Sequence, residues 1–214
     1  MLTIAIAKGR LQGEALALLS RAGVNLSAAD LASRKLTVED ESRQYRMIFV
    51  KPSDVPVYVE HGIADCGVVG RDVVVESNAD LLLPLDLQIA RCKMIVATTS
   101  DGELMNGGML RVATKYPRIA TAYFGERGVP VEIIPLVGSV ELAPVLGLAD
   151  CIVDLMETGR TLRENGLRVV AEILDSSGRL VVNRAAYQLK SAAIANLVEV
   201  LSQALRNERH CGND

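Results

Sequence analysis

The segment 151–162 combines residue types that suit the binding of a phosphate group. A short apolar run predicted to be a buried strand ends in the carboxylate of Asp154, and the turn Glu157-Thr158-Gly159-Arg160-Thr161 follows it. A turn that opens a helix offers free backbone N–H groups, threonine hydroxyls add donors, and a glycine lets an anion approach the backbone. The pattern predicts a phosphate cradle, with ordinary helix capping by Thr158 as the alternative. Asp154 could orient ribose hydroxyls or the waters of a metal ion.

A second group of candidate residues follows the first predicted strand. Lys8 and Arg10 flank Gly9, and the carboxyl edge of a parallel sheet is where ligands bind in α/β folds. A solvated turn is the alternative. In the segment 66–72, Gly67 and Gly70 could bring the backbone close to a planar ring, or could only mark a tight strand exit.

Composition excludes several classes of function. The chain has 214 residues, 23 Lys or Arg and 26 Asp or Glu, for a net charge of −3, so it lacks the basic excess of a general nucleic-acid binder. It has only two histidines, His61 and His210, which makes histidine metal sites and Ser/His/Asp triads poor hypotheses. The four widely spaced cysteines spell no metal knuckle, and they favour a reduced, cytoplasmic setting. No apolar run is long enough to predict a membrane span.

The period of the apolar residues predicts alternating strands and helices, which is typical of parallel sheets covered by helices. The predicted strands are 2–7, 45–50, 66–69, 81–87, 94–98, 112–114, 131–135 and 151–154. The predicted helices are 11–22, 52–62, 117–127, 140–147 and 187–205, and the polar stretch 99–108 is predicted to be a loop.

An internal similarity predicts two related halves. Residues 62–69 (GIADCGVV) resemble residues 147–154 (GLADCIVD), and the strand ending at Lys8 resembles the strand ending at Lys115. The two similarities occur in the same order, although matches this short also arise by coincidence. We expect two similar α/β lobes with a central cleft, one formed by residues 1–90 plus 181–214 and the other by residues 91–180. Clefts between lobes bind small ligands.

Four blocks of the sequence, in order, resemble the ATP phosphoribosyltransferase family of histidine biosynthesis. They are 7–11 (AKGRL), 54–59 (DVPVYV), 62–72 (GIADCGVVGRD) and 141–162 (ELAPVLGLADCIVDLMETGRTL). One departure is Lys51, where the family would lead us to expect an arginine. Lysine keeps the charge but loses the planar fork that binds phosphate bidentately.

The resemblance implies a transfer in which N1 of ATP displaces pyrophosphate from C1 of phosphoribosyl pyrophosphate, with Mg²⁺ held mainly by the pyrophosphate. It implies a fold like that of the type II periplasmic binding proteins, with the active site in the cleft. The residues expected to bind phosphoribosyl pyrophosphate are Asp154, Glu157, Thr158, Gly159, Arg160 and Thr161. Those expected near ATP are Lys8, Gly9, Arg10, Gly67, Gly70 and Asp72. Charge stabilisation in the transition state is expected from Arg10, Arg34 and Lys51.

The chain resembles the short form of the family, which relies on a separate regulatory subunit similar to histidyl-tRNA synthetase. We therefore expect a homodimer within a hetero-oligomer, and inhibition by histidine that requires the partner. The main alternative is a non-catalytic two-lobed protein that binds an anionic solute. A dinucleotide-binding oxidoreductase is excluded, because no Gly-x-Gly-x-x-Gly turn follows the first strand.

Overall fold

A computed structural model describes residues 1–27, 29–30, 35–99 and 108–211, the last four for the backbone only. The chain divides into a first unit, Met1–Ala90 with Ser177–Asp214, and a second unit, Arg91–Ser176. The chain re-enters the first unit at Ser177, four residues before the predicted boundary at residue 181. The difference arises because a strand at Gly178–Val182 pairs within the sheet of the first unit.

The strands in chain order are β1 (Leu2–Ala7), β2 (Thr37–Glu39), β3 (Tyr45–Val50), β4 (Cys66–Gly70), β5 (Leu82–Asp86), β6 (Cys92–Thr98), β7 (Leu110–Thr114), β8 (Val131–Pro135), β9 (Cys151–Met156), β10 (Arg168–Ser176) and β11 (Gly178–Val182). The helices are α1 (Arg10–Arg21), α2 (Val55–Glu60, after a 3₁₀ turn at Pro52–Asp54), α3 (Arg71–Ser77), α4 (Pro117–Gly125), α5 (Leu142–Val145), α6 (Arg160–Glu164), α7 (Arg184–Leu189) and α8 (Ser191–Cys211). None of the helices in the described ranges is long and apolar enough to cross a bilayer.

Each unit is built on one mixed sheet. The first unit has the order β2-β3-β1-β4-β11-β5, and the second has the order β10-β6-β9-β7-β8. In both, three parallel strands are extended by antiparallel ones: β3, β1 and β4 in the first sheet, and β8, β7 and β9 in the second. The two α/β lobes are confirmed, but the expected parallel arrangement holds only for these three strands of each sheet. The chain passes between the units after β5 and after β10. The strands beside these two points, β5 and β6, and β10 and β11, all pair antiparallel to their neighbours.

The core of the first unit lies between its sheet and the helices that the sequence pattern predicted. Helix α1 buries one face, formed by Leu11, Ala15, Leu18 and Leu19. The predicted final helix is broken at Lys190 into α7 and α8, and α8 buries Ile194, Leu197 and Leu201 in the same core. The expected docking of the last helix on the first unit is confirmed. In the second unit, the buried residues of the sheet form two separate clusters.

The internal similarity of the sequence is a structural repeat. Ile4 pairs with Cys66 between β1 and β4, and Val112 pairs with Cys151 between β7 and β9, in the same parallel arrangement. The strand orders also correspond, since β3-β1-β4-β11-β5 runs in the same directions as β8-β7-β9-β6-β10. One part of the prediction is wrong: with Ile4 matched to Val112, Lys8 corresponds to Tyr116 and not to Lys115.

One aspartate performs the same task in each repeat. Asp65 accepts the backbone N–H of Thr3 at 2.8 Å and donates its own N–H to the Thr3 carbonyl at 2.9 Å. Asp150 forms the same pair of bonds with Arg111, at 2.8 and 2.9 Å. These bonds join the start of one parallel strand to the start of its neighbour. The aspartates of the repeated motif are therefore structural residues.

We expect Asp150→Asn to reduce stability at neutral pH but not in acid. The Arg111 side chain donates to Asp150 at 2.7 Å, and this hydrogen bond, with the one from the Arg111 backbone, lowers the pKa of the carboxyl despite partial burial. A carboxyl with a lowered folded pKa stabilises the protein above its unfolded pKa, about 3.9, and loses that effect as the pH falls through the folded value. Thermal unfolding at pH 7 should show a loss of about 2–4 °C in Tm.

The control is Asp80→Asn, which removes a pair with Arg184 of the same 2.7 Å length but with both side chains at least 60% exposed. Exposed pairs contribute little, so its Tm should stay within about 1 °C of the parent. The difference between Asp150→Asn and the parent should shrink as the pH falls below the unfolded pKa and disappear once the pH is below the lowered pKa of the folded carboxyl. A difference that persists there would show that the ion pair is not its cause.

Candidate phosphate-binding loop and cationic edge

The predicted phosphate cradle is an exposed turn at the end of a buried strand. Cys151, Ile152 and Val153 are completely buried, Asp154 is half-buried, and Glu157 and Thr158 are exposed. The turn forms because Gly159 adopts the left-handed conformation (φ 70°) at the N-cap of α6, which a residue with a Cβ rarely adopts. The cradle therefore requires a glycine at this position.

The turn surrounds a concavity of about 220 Å³. All six residues predicted to bind phosphoribosyl pyrophosphate line it: Asp154, Glu157, Thr158, Gly159, Arg160 and Thr161. Glu141, half-buried at the N-cap of α5, lines it as well. Glu141 is given no role in the sequence analysis. Its place at the start of the block 141–162, which carries the family resemblance, is the feature from which a role could have been predicted.

The hydrogen bonds of the turn do not support helix capping by Thr158. The N-cap residue is Gly159, and the Thr158 hydroxyl accepts only a long bond, 3.4 Å, from the backbone N–H of Arg160. The Thr161 carbonyl accepts the Asn165 side-chain amide at 2.8 Å, which closes the other end of α6. The first N–H groups of a helix have no acceptor within the helix. An anion in the concavity could accept hydrogen bonds from them.

Charged side chains of both signs line this concavity. Asp154 accepts the backbone N–H of Leu155 at 2.8 Å, which fixes its carboxylate at the strand end. Arg160 is paired with Glu164 at 2.7 Å, with both side chains exposed. An exposed pair of this kind costs little to separate. Arg160 can therefore turn to a phosphate, while the carboxylates can accept hydrogen bonds from hydroxyls.

The predicted cationic residues of the first unit meet at one edge of its sheet. Strands β3, β1 and β4 are parallel neighbours, and they are followed by Lys51, by Lys8-Gly9-Arg10 and by Arg71 respectively. The Lys8 backbone N–H bonds to the Val50 carbonyl at 2.8 Å, so Lys8 and Lys51 leave adjacent strands side by side. Lys8, Gly9, Arg10 and Lys51 are all exposed. Topology thus groups charges that are distant in sequence.

Arg10 and Lys51 are held by different parts of the first unit. The Arg10 guanidinium donates to the Ala90 carbonyl at 3.0 Å, which holds it against the end of the first unit's main segment. Lys51 lies at the N-cap of the 3₁₀ turn that begins at Pro52. Arg34, the third predicted charge-stabilising residue, lies outside the described residues. Arg46 pairs with Glu39 at 2.9 Å across β2 and β3.

Two residues expected near ATP are buried instead. A Cβ on Gly67 would lie 2.7 Å from Val55 Cγ1, so the missing side chain is explained by the close packing of α2 on β4. Asp72 is only 5% exposed, and its Oδ1 lies 2.2 Å from the position of a Cβ on Gly70. Gly70 therefore makes room for the Asp72 carboxylate at the start of α3. Packing thus explains both residues, and their expected proximity to ATP stays a prediction, as does that of Gly70 at the end of β4.

Neither Cys66 nor Cys151 gives a reactive thiolate. Burial raises the pKa of the Cys151 thiol to about 12 and raises that of Cys66 further, and in each case a neighbouring aspartate adds to the effect. Within the described residues, no group of three His, Cys, Asp or Glu side chains is placed to hold a metal ion.

Comparison with known proteins agrees with these features. The family model described as "HisG: ATP phosphoribosyltransferase" matches residues 51–203. An ATP phosphoribosyltransferase from Geobacillus sp. (strain WCH70) is 51% identical over 96% of this chain and 99% of its own length. The ATP phosphoribosyl transferase (HisG:HisZ) complex from Thermotoga maritima has a chain of 36% identity with a TM-score of 0.85, over 97% of this chain and 100% of that one.

A more distant likeness concerns the fold alone. The periplasmic aliphatic sulphonate binding protein SsuA from Escherichia coli is 15% identical with a TM-score of 0.58, over 98% of this chain and 75% of that one. This agrees with the expected likeness to periplasmic binding proteins. The match to the catalytic family in sequence, over nearly the whole chain, favours an enzyme over a non-catalytic solute-binding protein. The chain belongs to the ATP phosphoribosyltransferase family, whose members are pentosyltransferases.

Proposed function

We propose that this chain joins ATP to phosphoribosyl pyrophosphate, with the turn 154–161 binding the phosphoribosyl group. The observation that carries the proposal is the concavity of about 220 Å³ that gathers all six residues of this turn predicted from the sequence. In the reaction, N1 of ATP forms a bond to C1 of the ribose, and the bond from C1 to the pyrophosphate oxygen breaks. The pyrophosphate leaves with the electron pair.

This reaction requires alignment and charge stabilisation more than a protein nucleophile. In the turn, backbone N–H groups near Gly159 and the hydroxyls of Thr158 and Thr161 would hold the 5′-phosphate. The negative charge of the polyphosphate chains would be neutralised by the exposed cations Lys8, Arg10 and Lys51. Because Arg10 is already bonded to Ala90, its guanidinium is fixed before substrate arrives.

The carboxylates of the concavity have a separate task. Asp154 and Glu157, with Glu141 beside them, would accept hydrogen bonds from the ribose hydroxyls, because an ionised carboxylate can only accept. Asp154 and Glu141 also carry the oxygen ligands that Mg²⁺ prefers, and a magnesium ion is commonly held by one or two carboxylates together with substrate phosphates. When bound with the pyrophosphate, the ion would help neutralise the leaving group.

We further propose that the chain works in the cytoplasm as a homodimer, as the catalytic part of a hetero-oligomer with a regulatory subunit similar to histidyl-tRNA synthetase. The hetero-oligomer is supported by the Thermotoga maritima structure, whose chain is 36% identical to this one and which is a HisG:HisZ complex. Inhibition by histidine would then require the partner.

The test is to incubate the protein with ATP, phosphoribosyl pyrophosphate and Mg²⁺, with and without a regulatory subunit of this kind. We expect phosphoribosyl-ATP and pyrophosphate to appear in equal amounts, as followed by the absorbance of the adduct and by a pyrophosphate assay. Histidine should inhibit only in the presence of the partner. Release of pyrophosphate without the adduct, or no product in either mixture, would refute the proposed reaction.

A further inference from the structure

Arg163 contacts the proposed phosphate-binding turn, although it lies outside the six residues assigned to it. Its Nη1 donates to the Thr158 carbonyl at 3.2 Å, and it lies 3.3 Å from the position that a Cβ on Gly159 would take. The guanidinium therefore lies against the peptide bond that joins Thr158 to Gly159. The Arg163 backbone N–H also bonds to the Gly159 carbonyl at 3.2 Å, so two successive carbonyls of the turn are bonded to one residue.

The geometry of the peptide bond turns this contact into a constraint on the turn. A trans peptide is planar, so its carbonyl oxygen and its N–H point in opposite directions. Bonding the Thr158 carbonyl to Arg163 consequently fixes the direction of the Gly159 N–H. That N–H belongs to the group of donors that would hold the 5′-phosphate. Exposed left-handed turns are flexible without such a bond, because few contacts determine their dihedral angles.

Charge adds to the effect of the hydrogen bond. An arginine side chain carries a permanent positive charge, and the Arg163 guanidinium is in direct contact with the turn through the Thr158 carbonyl. A fixed positive charge behind the Thr158–Gly159 peptide raises the potential where the phosphate would bind. Both effects act on the group that the turn would hold, so we expect them to favour the binding of phosphoribosyl pyrophosphate more than that of ATP.

We infer that Arg163 is a positioning residue for the binding of phosphoribosyl pyrophosphate. It orients the Thr158–Gly159 peptide and adds charge behind it, without itself being one of the residues that bind the phosphate. The inference rests on the proposed function of the phosphate-binding turn. It assigns a positioning role to Arg163, which lies in α6 directly after that turn.

Arg127 provides a matched control. Its Nη1 donates to the Tyr123 carbonyl at 3.0 Å at the end of α4, so it makes the same kind of bond to a nearby backbone carbonyl in the same unit. It lies outside the concavity lined by Glu141 and residues 154–162. Its guanidinium also lies 3.7 Å from the centre of the Tyr123 ring, so Arg127→Ala removes at least as many structural contacts as Arg163→Ala.

The experiment measures the KM for each substrate, with the regulatory subunit present, in the parent protein and in the Arg163→Ala, Arg163→Lys and Arg127→Ala variants. We expect Arg163→Ala to raise the KM for phosphoribosyl pyrophosphate about tenfold and to change that for ATP less than about twofold. Arg163→Lys should recover part of the loss, because an ammonium retains the charge. Arg127→Ala should match the parent in both constants, although its Tm should fall at least as much as that of Arg163→Ala.

Equal effects of Arg163→Ala on both substrates, or none beyond those of Arg127→Ala, would overturn the inference. Binding of ribose 5-phosphate, measured by calorimetry, separates this outcome from failure of the proposed function. If the parent makes phosphoribosyl-ATP but Arg163→Ala binds ribose 5-phosphate as tightly as the parent, only the role of Arg163 is wrong. If the parent makes no phosphoribosyl-ATP and binds no ribose 5-phosphate, the proposed function itself is wrong.

Discussion

Replacing Gly159 with alanine is expected to lower kcat/KM for phosphoribosyl pyrophosphate about a hundredfold while leaving the KM for ATP nearly unchanged. Gly159 has φ 70°, a conformation that costs a residue with a Cβ about 1 kcal/mol. The added Cβ would also lie 3.1 Å from Met156 Sδ and 3.3 Å from Arg163 Nη1. The turn must shift to relieve these contacts, and a displacement of about 1 Å in a positioning group can reduce a rate about a hundredfold. Steady-state kinetics with each substrate varied in turn provides the measurement.

The matched control is Gly166→Ala, at the other end of the same short helix. Gly166 has the same φ, 70°, but no atom lies within 4 Å of the position of its Cβ. This variant therefore carries the conformational cost without the displacement of the turn. It should lose some stability and keep both kinetic constants close to those of the parent. Equal kinetic losses in the two variants would show that the left-handed conformation alone, and not the shape of the cradle, is responsible.

The phosphate-binding turn could be predicted from the sequence because everything that forms it is local. A buried run, a carboxylate, two threonines and a glycine follow one another within 151–161, and their order alone specifies a strand, a turn and a helix start. The repeat could also be predicted, since the same residue pattern precedes β4 in the first sheet and β9, its counterpart, in the second. The paired hydrogen bonds of Asp65 and Asp150 give the physical reason for that recurrence.

The elements that sequence reasoning missed lack a periodic signal. Strand β10 lies at the edge of its sheet, is largely exposed, and pairs with β6 through two register shifts, which interrupt the alternation of apolar and polar residues. Strand β2 has only three residues. The predicted lobe boundary at residue 181 falls inside β11, because nothing local distinguishes a strand that joins the first sheet from one that stays in the second.

Glycines near the edge of the first sheet could not be interpreted from the sequence for a different reason. A glycine can admit a ligand, a helix or a neighbouring side chain, and these possibilities depend on contacts between residues far apart in the chain. Gly67 accommodates α2, and Gly70 accommodates the carboxylate of Asp72. Only the packing of the folded protein separates these functions.

Replacing Gly67 with alanine should therefore destabilise the protein and should not specifically weaken ATP binding. The new Cβ would lie 2.7 Å from Val55 Cγ1, 3.0 Å from Val59 Cγ2 and 3.1 Å from the carbonyl oxygen of Ala5. Helix α2 would have to move away from β4 and β1, because the strand backbone cannot. Overpacking of a buried site typically costs about 1–3 kcal/mol, which corresponds to a Tm lower by about 2–12 °C in a chain of this size.

Gly13→Ala is the control, because Gly13 is exposed in α1 and no atom lies within 4 Å of the position of its Cβ. Alanine has the better helix propensity, so this variant should gain about 0.5–1 kcal/mol. The same chemical change is thus expected to have opposite signs at the two positions. A Gly67→Ala protein with unchanged Tm but a raised KM for ATP would instead show that Gly67 contacts the nucleotide. If Gly67→Ala has a lowered Tm and an unchanged KM for ATP, the close packing of α2 on the sheet is by itself the reason for a glycine at this position.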